Sequence, residues 1–321
     1  MAGARHPVLE LLSARARGTG TPGRHGDGAR LALVIEGGGM RGAVSAGMMV
    51  VLHERGLVRC FDAAYGSSAG ALGAAWMLTG SAAEGMSTYL DQGLISQVIE
   101  PKRALRRSGP AVVDMDRLVG EIYESVAPGF FARVLAHPME LHPIATDADT
   151  GETVDLHATI RDEESLRQAL LASSRLPGVA GPPVVIGGRR YLDAGVSSAI
   201  PFPSALAGGA THVLVLRSRQ AGDRAAPPGS AGRRIVAPML ARIGPKVAEL
   251  YLSRSEREGA DEDVLDRHDA DPALRPPILS IRPAPGAPTV SRLERDAAKM
   301  GPALGAGRAA AVRALLDVPA G

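Results

Sequence analysis

The sequence predicts an α/β protein with a mostly parallel central sheet, because two successive strand–turn–helix units open its ordered part. Leu31–Ile35 is a short apolar run typical of a buried parallel strand, and a helix with apolar residues at helical spacing follows over 43–54. The same plan repeats with a strand at 61–65, a tight turn and a small-residue helix at 71–78. Strands that alternate with helices in this way indicate a parallel sheet with helical crossovers.

The elements after this opening continue the same pattern and include two hairpin turns, at 147–151 and at 187–188. Further helices are predicted at 82–98, 114–126, 166–174 and, with an interruption at Pro245, 234–257. Further strands are predicted at 140–145, 153–156, 184–186, 190–192, 212–216 and 277–281, and helical segments close the chain.

Composition excludes some classes of function. The chain has 321 residues, of which 45% are hydrophobic, so it can bury a large core. Aromatic residues make up only 3%, which leaves few stacking surfaces and argues against a nucleic-acid partner. The 36 basic and 34 acidic residues nearly cancel, so the charge requires no polyanionic partner. Cys60 is the single cysteine, which rules out an internal disulfide.

The N-terminal 30 residues differ in character from the rest. They contain scattered Arg and Gly, and no apolar segment of the kind a secretory signal needs, so we predict a loosely ordered, flexible leader over 1–30. Residues 31–321 are expected to form a single domain, with the motifs in 31–205 and further strands and helices in 206–321. Without an apolar run of about 18 residues, a cytoplasmic location is expected.

The first glycine-rich turn supports two interpretations. It comprises Gly37, Gly38, Gly39, Met40, Arg41 and Gly42. Its spacing fits a dinucleotide fingerprint, and Asp62 lies at the right distance along the chain for a ribose contact. Unshielded backbone N–H groups at a helix N-terminus also stabilise an oxyanion, so the turn equally suits acyl transfer.

The second turn favours acyl transfer. Gly66-Ser67-Ser68-Ala69-Gly70 is a Gly-x-Ser-x-Gly sequence between a predicted strand and a predicted helix, which is the context of a nucleophile elbow. The central residue is Ser68, whose hydroxyl such a turn lifts clear of the sheet. An oxyanion-type loop one βα unit earlier makes the pair of motifs far more specific than either alone.

A serine nucleophile needs a base. In the α/β-hydrolase order of serine, acid and histidine, only two of the eight histidines lie late enough in the chain, and one aspartate is a further candidate. His212 begins an apolar strand, where a structural role is expected, and His268 lies in a charged, solvated stretch. Asp193 ends a short strand before Ala194-Gly195, and burial there raises a carboxyl pKa enough to make it a usable base. The alternative is that Asp193 only caps its turn.

These residues together resemble the patatin-like phospholipases. That family combines a Gly-x-Gly-x-[Arg/Lys]-Gly loop, a Gly-x-Ser-x-Gly elbow and a later Asp-Gly-[Gly/Ala], matched here by Gly37–Gly42, Gly66–Gly70 and Asp193–Gly195. The resemblance covers roughly residues 31–205, and the C-terminal stretch 289–296 is similar to bacterial members. One departure is Ala194 in place of the family's glycine, which cannot adopt every glycine conformation.

The resemblance implies a three-layer α/β/α sandwich and the hydrolysis of a phospholipid or another fatty-acyl ester. It implies a Ser68–Asp193 dyad without histidine, an oxyanion hole with the N–H groups of Gly38 and Gly39, and an acyl-enzyme intermediate. Arg41 either holds the loop or meets a lipid phosphate. We expect no cofactor and no metal ion. Neither headgroup preference nor oligomeric state follows from the sequence.

A lipid substrate raises the question of a membrane-facing surface. Residues 233–250 carry apolar Ile235, Met239, Ile243 and Leu250 among basic residues, which fits either a membrane-facing lid or a helix packed on the core. A second basic cluster, Lys102, Arg103, Arg106 and Arg107, is expected to be solvated. Peripheral membrane contact is therefore one expectation.

Two rival functions remain open at this stage. A dinucleotide-binding oxidoreductase would use Gly37–Gly42 but leaves Ser68 and Asp193 unexplained. A catalytically silent lipid-binding or regulatory protein would keep the fold without the chemistry, and the alanine at position 194 gives it weight.

Overall fold

The computed structural model describes residues 6–105 and 111–321. Within them, an eight-stranded sheet is formed by β1 (Leu31–Ile35), β2 (Ala63–Ser67), β3 (Glu140–Asp147), β4 (Thr153–Asp155), β5 (Val184–Ile186), β6 (Arg189–Asp193), β7 (His212–Leu216) and β8 (Ile278–Ile281). The helices are α1 (Pro7–Arg17), α2 (Gly42–Glu54), α3 (Ala69–Leu78), α4 (Ala82–Leu90), α5 (Gln92–Val98), α6 (Met115–Arg117), α7 (Tyr123–Val126), α8 (Phe130–Ala136), α9 (Glu163–Ser174), α10 (Phe202–Ala207), α11 (Ala237–Ala241), α12 (Pro245–Leu252), α13 (Arg254–Ala270) and α14 (Ala297–Ala314).

The sheet has a parallel centre and an antiparallel edge. Its strand order is β5-β6-β3-β2-β1-β7-β8, with β4 also paired to β3. The five strands from β3 to β8 in this order run parallel, whereas β4 and β6 pair with β3 in the antiparallel sense, as β5 does with β6. The predicted mostly parallel α/β sheet is confirmed.

Helices cover both faces of the sheet, because alternate residues of a strand point to opposite sides. Along β1, Leu31, Leu33 and Ile35 belong to the apolar core that includes α2, α3 and α14. Ala32 and Val34 face a second core with residues of α10 and α13. All five residues of β1 are buried, as a central strand between two helical layers requires. The architecture is therefore the expected three-layer α/β/α sandwich.

The prediction of a loosely ordered leader over 1–30 is wrong for its described part. Pro7–Arg17 forms α1, whose Val8 and Leu12 are fully buried in the core. Arg15, itself buried, donates to the carboxylates of Asp27 (2.8 Å) and Asp62 (2.7 Å). These ion pairs fix the segment 18–30 as well as the helix, because breaking them would leave a buried guanidinium with carbonyl acceptors but no negative charge beside it. The assignment of 31–321 to one domain stays a prediction.

The long helical pattern at 234–257 is broken in two places rather than one. Gly244 separates α11 from α12, and Ser253 separates α12 from α13, which continues to Ala270. Pro245 occupies the first turn of α12, where proline is tolerated because that N–H has no helical acceptor. Among the described residues no helix combines the length and apolar character needed to span a bilayer.

Candidate active site

The predicted site residues come together where three strands end. The glycine loop follows β1, Ser68 follows β2, and Asp193 is the last residue of β6. Register explains the meeting: Ser67 pairs with Ile144 of β3, and the next residue of β3, Ala145, pairs with Asp193. The carboxyl ends of parallel strands are where open α/β sheets place their ligand sites.

Ser68 has the backbone of a nucleophile elbow. Its φ of 55° makes it the one non-glycine residue with positive φ in the described parts of the chain. Such a conformation is strained for an L-residue and persists where the surroundings impose it. Two features impose this conformation. Helix α3 begins at the next residue, Ala69, and the Ser68 N–H donates to the buried Ser173 hydroxyl at 3.1 Å. The Ser173 contact is not predicted from the sequence, because the two residues are 105 positions apart.

Glycines flank the elbow because neighbouring backbone segments of the same chain lie too close to leave room for a side chain. A Cβ on Gly66 would lie 2.4 Å from the backbone of Ala71, and one on Gly70 would lie 2.3 Å from the Ile35 carbonyl oxygen. Both separations are far below van der Waals contact, so the bend from β2 into α3 requires glycine at each position.

Asp193 lies in direct contact with the serine. The Ser68 hydroxyl donates to Asp193 Oδ2 at 2.6 Å, and the Gly195 N–H donates to Asp193 Oδ1 at 2.7 Å. The Thr146 hydroxyl donates to the Asp193 carbonyl at 2.9 Å, which fixes the main chain at this point. Asp193 thus holds its turn and also reaches the serine, so the two sequence-based interpretations of this residue do not exclude each other.

The alanine at position 194 fits the turn without strain. Ala194 is fully buried, begins a short 3₁₀ turn, and lies outside the positive-φ region that would favour glycine. The departure from the family's Asp-Gly pattern therefore leaves the serine–aspartate contact intact.

Burial governs the protonation of Asp193, whose side chain is almost wholly removed from solvent. Desolvation raises its pKa above the ordinary aspartate value, because burial penalises the charged form. The hydrogen bonds from Ser68 and Gly195 and the positive charges of Arg254 and Arg292 oppose this shift only in part. A carboxyl group with a raised pKa is a stronger base than an exposed one, which suits proton transfer from a serine.

The glycine loop leaves two backbone donors free. Gly37 donates to the Ala199 carbonyl (2.9 Å), Met40 to that of Arg292 (3.0 Å) and Arg41 to that of Gly38 (3.2 Å), while Gly42 begins α2 and is bonded within the turn. Among the described residues, the N–H groups of Gly38 and Gly39 donate to no protein acceptor. Of the predicted loop Gly37–Gly42, therefore, these two positions have N–H groups available to an outside acceptor.

The segment after β8 supports this loop. Gly39 has a φ of 56°, and a Cβ on it would lie 2.5 Å from the Arg292 carbonyl oxygen that accepts from Met40. Beneath the loop, the buried carboxylate of Glu36 accepts from the Ser218 N–H at 2.6 Å. The stretch 289–296 carries the resemblance to bacterial members, but the role of Arg292 at this loop is not predicted from the sequence, because the residue lies over 250 positions further along the chain.

Arginines gather beside the loop. Arg254 and Arg292 line the cavity at Ser68, and Arg41 and Arg219 lie close enough to influence the Arg292 pKa. Burial and the neighbouring positive charges lower the pKa of Arg292 to about 10, while Glu258 opposes the shift. The Nε and Nη2 atoms of Arg41 are buried without an acceptor among the described residues. The cluster can therefore receive an anionic group.

A largely apolar cavity of 180 Å³ opens at Ser68. The N-terminal part of α3 and the segments from α4 to α7 supply most of its wall. Its apolar lining includes Met49, Leu72, Trp76, Ile95, Met115 and Tyr123. Such a space accepts a hydrocarbon chain and excludes water from it.

The two histidines considered as bases and the aspartate considered as a ribose contact all lie away from Ser68. His212 is the first residue of β7 and pairs with Leu31 at the start of β1, so it lies at the opposite end of the sheet from Ser68. His268 lies close to His6 and is not among the residues around Ser68. Asp62 precedes β2, again at that opposite end, and its buried carboxylate is held by Arg15 and the Leu31 N–H. Asp62 therefore cannot make the ribose contact that the dinucleotide hypothesis requires.

Of the described residues, one group has the composition of a metal site. It comprises Glu140, His142 and His157, at the far end of the sheet from Ser68. This group differs from the expectation of no metal site, and the sequence does not indicate it, because the three residues meet only through the β3–β4 hairpin.

Substituting Gly39 with alanine is expected to lower kcat for ester cleavage by about 10²–10³-fold, the usual effect of losing one oxyanion donor. The methyl group would displace either the loop or the Arg292 carbonyl, so the free N–H groups would no longer converge. The measurement is steady-state hydrolysis of a water-soluble ester. Gly209→Ala is the matched control: its φ is 82°, no neighbour lies within 4 Å of the added Cβ, and it lies near the start of β7. Equal losses in both variants would contradict the loop's role.

Comparison with known proteins agrees with this geometry. Residues 33–206 match the model of the patatin-like phospholipase family. The chain is 29% identical over 201 residues to the uncharacterized protein YjjU of Escherichia coli K12, which covers 59% of this chain and 52% of YjjU. It is 27% identical over 255 residues to the NTE family protein Rv1063c of Mycobacterium tuberculosis, covering 79% of this chain and 63% of that one.

VipD from Legionella pneumophila is a similar solved structure, with a TM-score of 0.44 and 13% identity, over 90% of this chain and 67% of VipD. The family match covers more than half of the chain, so the protein belongs to the patatin-like phospholipases, a family of lipid acyl hydrolases. The chain spans about half to two thirds of the length of the curated relatives described above.

Proposed function

We propose that the protein hydrolyses fatty-acyl esters of lipids with Ser68 as nucleophile and Asp193 as its only base. The observation that carries the proposal is the 2.6 Å hydrogen bond from the Ser68 hydroxyl to a buried carboxylate, at a serine whose φ is 55°. Strain at a turn and a matched proton acceptor together are typical of an activated nucleophile.

The first half of the reaction makes an acyl-enzyme. Asp193 accepts the Ser68 proton while the serine oxygen attacks the acyl carbonyl carbon. The resulting oxyanion accepts hydrogen bonds from the N–H groups of Gly38 and Gly39, which have no other partner among the described residues. Asp193 then gives the proton to the departing alcohol oxygen as the ester bond breaks.

The second half releases the fatty acid and restores the enzyme. Asp193 accepts a proton from a water molecule, whose oxygen attacks the acyl-enzyme carbonyl carbon. The second tetrahedral intermediate collapses, the bond to the serine oxygen breaks, and Asp193 returns the proton to Ser68. The same oxyanion donors serve both halves.

The substrate class follows from the two surfaces beside the serine. The apolar cavity suits the acyl chain, and the positive charges of Arg254 and Arg292 at its wall suit an anionic headgroup such as a phosphodiester. Arg41 does not line the cavity, and its two guanidinium nitrogens without acceptors among the described residues are buried, so it contributes positive charge and no direct contact. We therefore propose phospholipids or lysophospholipids in preference to neutral glycerides.

Release of fatty acid from matched lipids tests this proposal. Wild-type protein is expected to cleave a phospholipid and a short p-nitrophenyl ester, and Arg292→Gln is expected to reduce cleavage of the phospholipid more than that of the neutral ester. A folded protein that cleaves neither ester would support the catalytically silent alternative. Equal losses on both substrates would contradict the headgroup role of Arg292.

The pH dependence of kcat/KM should show a single acid limb set by Asp193. The carboxyl group must be ionised to accept a proton, so kcat/KM is expected to rise as pH increases through its raised pKa and then to level off. Initial rates with a short ester between about pH 4 and 9, at two temperatures, give the pKa of this limb and its temperature dependence. The range includes the ordinary carboxyl and imidazole pKa values, about 4 and 6.5. Carboxyl ionisation is almost athermal, so a limb that moves strongly with temperature would instead identify a histidine.

The segment 232–252 is proposed to contact the lipid surface with one face. The other face packs on the core, where Leu240 and Val247 are buried. They belong to the same apolar cluster as Leu192 and Val196, which precede and follow Asp193 in the chain. Ile235 is 68% exposed and Met239 37%. The side chains of Arg233, Arg234, Arg242 and Lys246 are exposed around them. Apolar side chains ringed by basic ones are typical of interfacial helices.

Substituting Ile235 with glutamate is expected to weaken binding to anionic vesicles several-fold, since it removes apolar contact and adds repulsion. Vesicle flotation at low and high salt measures the change. Leu316→Glu is the matched control, because Leu316 is 73% exposed but follows α14 near the end of α2 that is remote from the glycine loop. Equal vesicle binding by the two variants, or no binding by wild type, would contradict the proposed membrane contact of this segment.

Of the second basic cluster, Arg103 donates to the carbonyls of Val98 and Gln97 and so has a structural role. Lys102 is exposed as predicted, and Arg106 and Arg107 lie outside the described residues.

A further inference from the structure

A compact group of metal-ligand side chains lies at the start of β3, at the end of the sheet opposite Ser68. Glu140 and His142 are on β3, and His157 follows β4, whose residues pair with β3 in the antiparallel sense. One ligand atom from each of the three lies within 4.8 Å of the other two. His142 is buried, and its ring stacks between those of Tyr65 (4.1 Å) and His157 (4.3 Å).

The hydrogen bonds of the two histidines fix which ring nitrogen is free. His157 Nδ1 lies 2.9 Å from the Leu141 carbonyl oxygen, which can only accept, so Nδ1 carries the proton. Both nitrogens of His142 face carboxylates, and Nδ1 makes the shorter contact, 2.6 Å to Asp155 against 3.2 Å from Nε2 to Glu140, so we place the proton of the neutral ring on Nδ1. In the neutral rings both Nε2 atoms then have lone pairs. Metal-binding histidines typically have such a partner, a carboxylate or a backbone carbonyl, on the other nitrogen.

The contact between His142 and Glu140 calls for a cation. The Nε2 atom of His142 faces Glu140 Oε2 at 3.2 Å, so two electron-rich atoms oppose each other unless a proton or a metal ion lies between them. Ligand atoms about 2.0–2.1 Å from a tetrahedral zinc ion are about 3.3 Å apart, so these two atoms already have the separation of zinc ligands. His157 completes the set after a shift of its partly exposed ring.

The charges around the group are compatible with a divalent cation. Glu140 and Asp155 contribute two negative charges, and Arg30, which contacts Oε2 of Glu140, contributes one positive charge. Oε2 of Glu140, which faces His142, also contacts Arg30, whereas Oε1 has no hydrogen-bond donor among the described residues, so the carboxylate can present either oxygen to a metal. Two imidazoles with one carboxylate form a known zinc ligand set, with a fourth position for water.

We propose that Glu140, His142 and His157 bind one zinc ion, with Asp155 and the Leu141 carbonyl orienting the two imidazoles. The ion joins β3 to the turn after β4 and thereby fixes the β3–β4 hairpin at the sheet edge. Its place at the opposite end of the sheet separates it from the ester chemistry, so zinc is expected to change stability and not kcat.

Metal titration of the chelator-treated full chain tests the site. Cobalt(II), as a spectroscopic substitute, should give the intense visible bands of a tetrahedral N/O site with one equivalent bound, and zinc should displace it. Zinc at about 100 times its Kd is expected to raise the thermal midpoint by about 3–5 °C. His157→Gln should weaken zinc binding by at least about 100-fold, and Asp155→Asn by about 10–100-fold.

His212→Gln is the matched control, because this partly buried histidine lies at the same end of the sheet outside the group, and it should bind zinc like wild type. Absence of cobalt bands and of a zinc-dependent midpoint in wild type would overturn the proposal and favour a protonated His142 bridging two carboxylates. Equal zinc affinity in His157→Gln, or equal loss in His212→Gln, would also overturn it. The cobalt spectrum of wild type decides the matter even if a variant does not fold, and ester hydrolysis is an independent readout.

Discussion

Ser68→Ala is expected to lower kcat for ester hydrolysis by at least about 10⁴-fold while the protein stays folded. The side chain is the only proposed nucleophile, and the remaining oxyanion donors and cavity cannot replace the covalent step. Removing the hydroxyl deletes one hydrogen bond to Asp193 and no core contact. Fatty-acid release and the thermal midpoint, measured on the same preparation, check both parts of the expectation.

Ser67→Ala provides the control within the same turn. The Ser67 hydroxyl donates to the Ser198 carbonyl at 2.9 Å and is fully buried, so it has a structural partner and no path to a substrate. This variant should keep at least about a tenth of wild-type activity, since a neutral hydrogen bond contributes about 1 kcal/mol to stability. Comparable inactivation of both variants would mean that the loss of activity comes from a disturbed elbow conformation and not from the loss of the nucleophile.

Asp193→Asn is expected to reduce kcat/KM by about 10³-fold or more, because an amide has nearly the same shape but cannot accept the serine proton. The amide oxygen can still accept from the Gly195 N–H, so the turn is retained. Activity above one tenth of wild type would show that another group is the base. Asp269→Asn is the matched control: burial also raises the pKa of Asp269, but this residue contacts Ser280 near β8 and should be dispensable for hydrolysis.

The same substitution should not destabilise the protein at neutral pH. Because burial raises the pKa of Asp193 in the folded state, its contribution to stability is present at low pH and is lost as pH rises through that raised pKa. Above that raised pKa the ionised group therefore opposes folding, and asparagine removes this effect. A thermal midpoint at or above that of wild type, together with lost activity, separates a catalytic role from a structural one.

The parts of the fold that sequence predicts well are those with a local signal. Leu31–Ile35 is a continuous apolar run, and the glycines of the elbow mark a bend that no other residue allows, so β1, β2 and the start of α3 follow directly. The N-terminal helix was missed because Arg15 suggests a solvated surface. It is buried by ion pairs with Asp27 and Asp62, which is a long-range effect that a local pattern does not contain.

The same distinction holds for the site. The positions Ser68 and Asp193 were predicted through motifs, and their contact at 2.6 Å depends on the register between β2, β3 and β6. Ser173 and Arg292 lie outside the three catalytic motifs, and they act through a hydroxyl and a carbonyl from segments distant in sequence. The His142–His157 group likewise arises from hairpin register, since the two histidines are 15 positions apart in sequence.

Labelling with a fluorophosphonate tests the central claim most directly, because the reagent phosphonylates only an activated serine. After digestion of the folded wild-type protein, the mass increment is expected on Ser68 alone, at one equivalent per chain. Asp193→Asn should slow labelling by about the same factor as hydrolysis, about 10³-fold, since both need the proton acceptor. Folded wild-type protein that stays unlabelled, or that is labelled at another serine, would contradict the account.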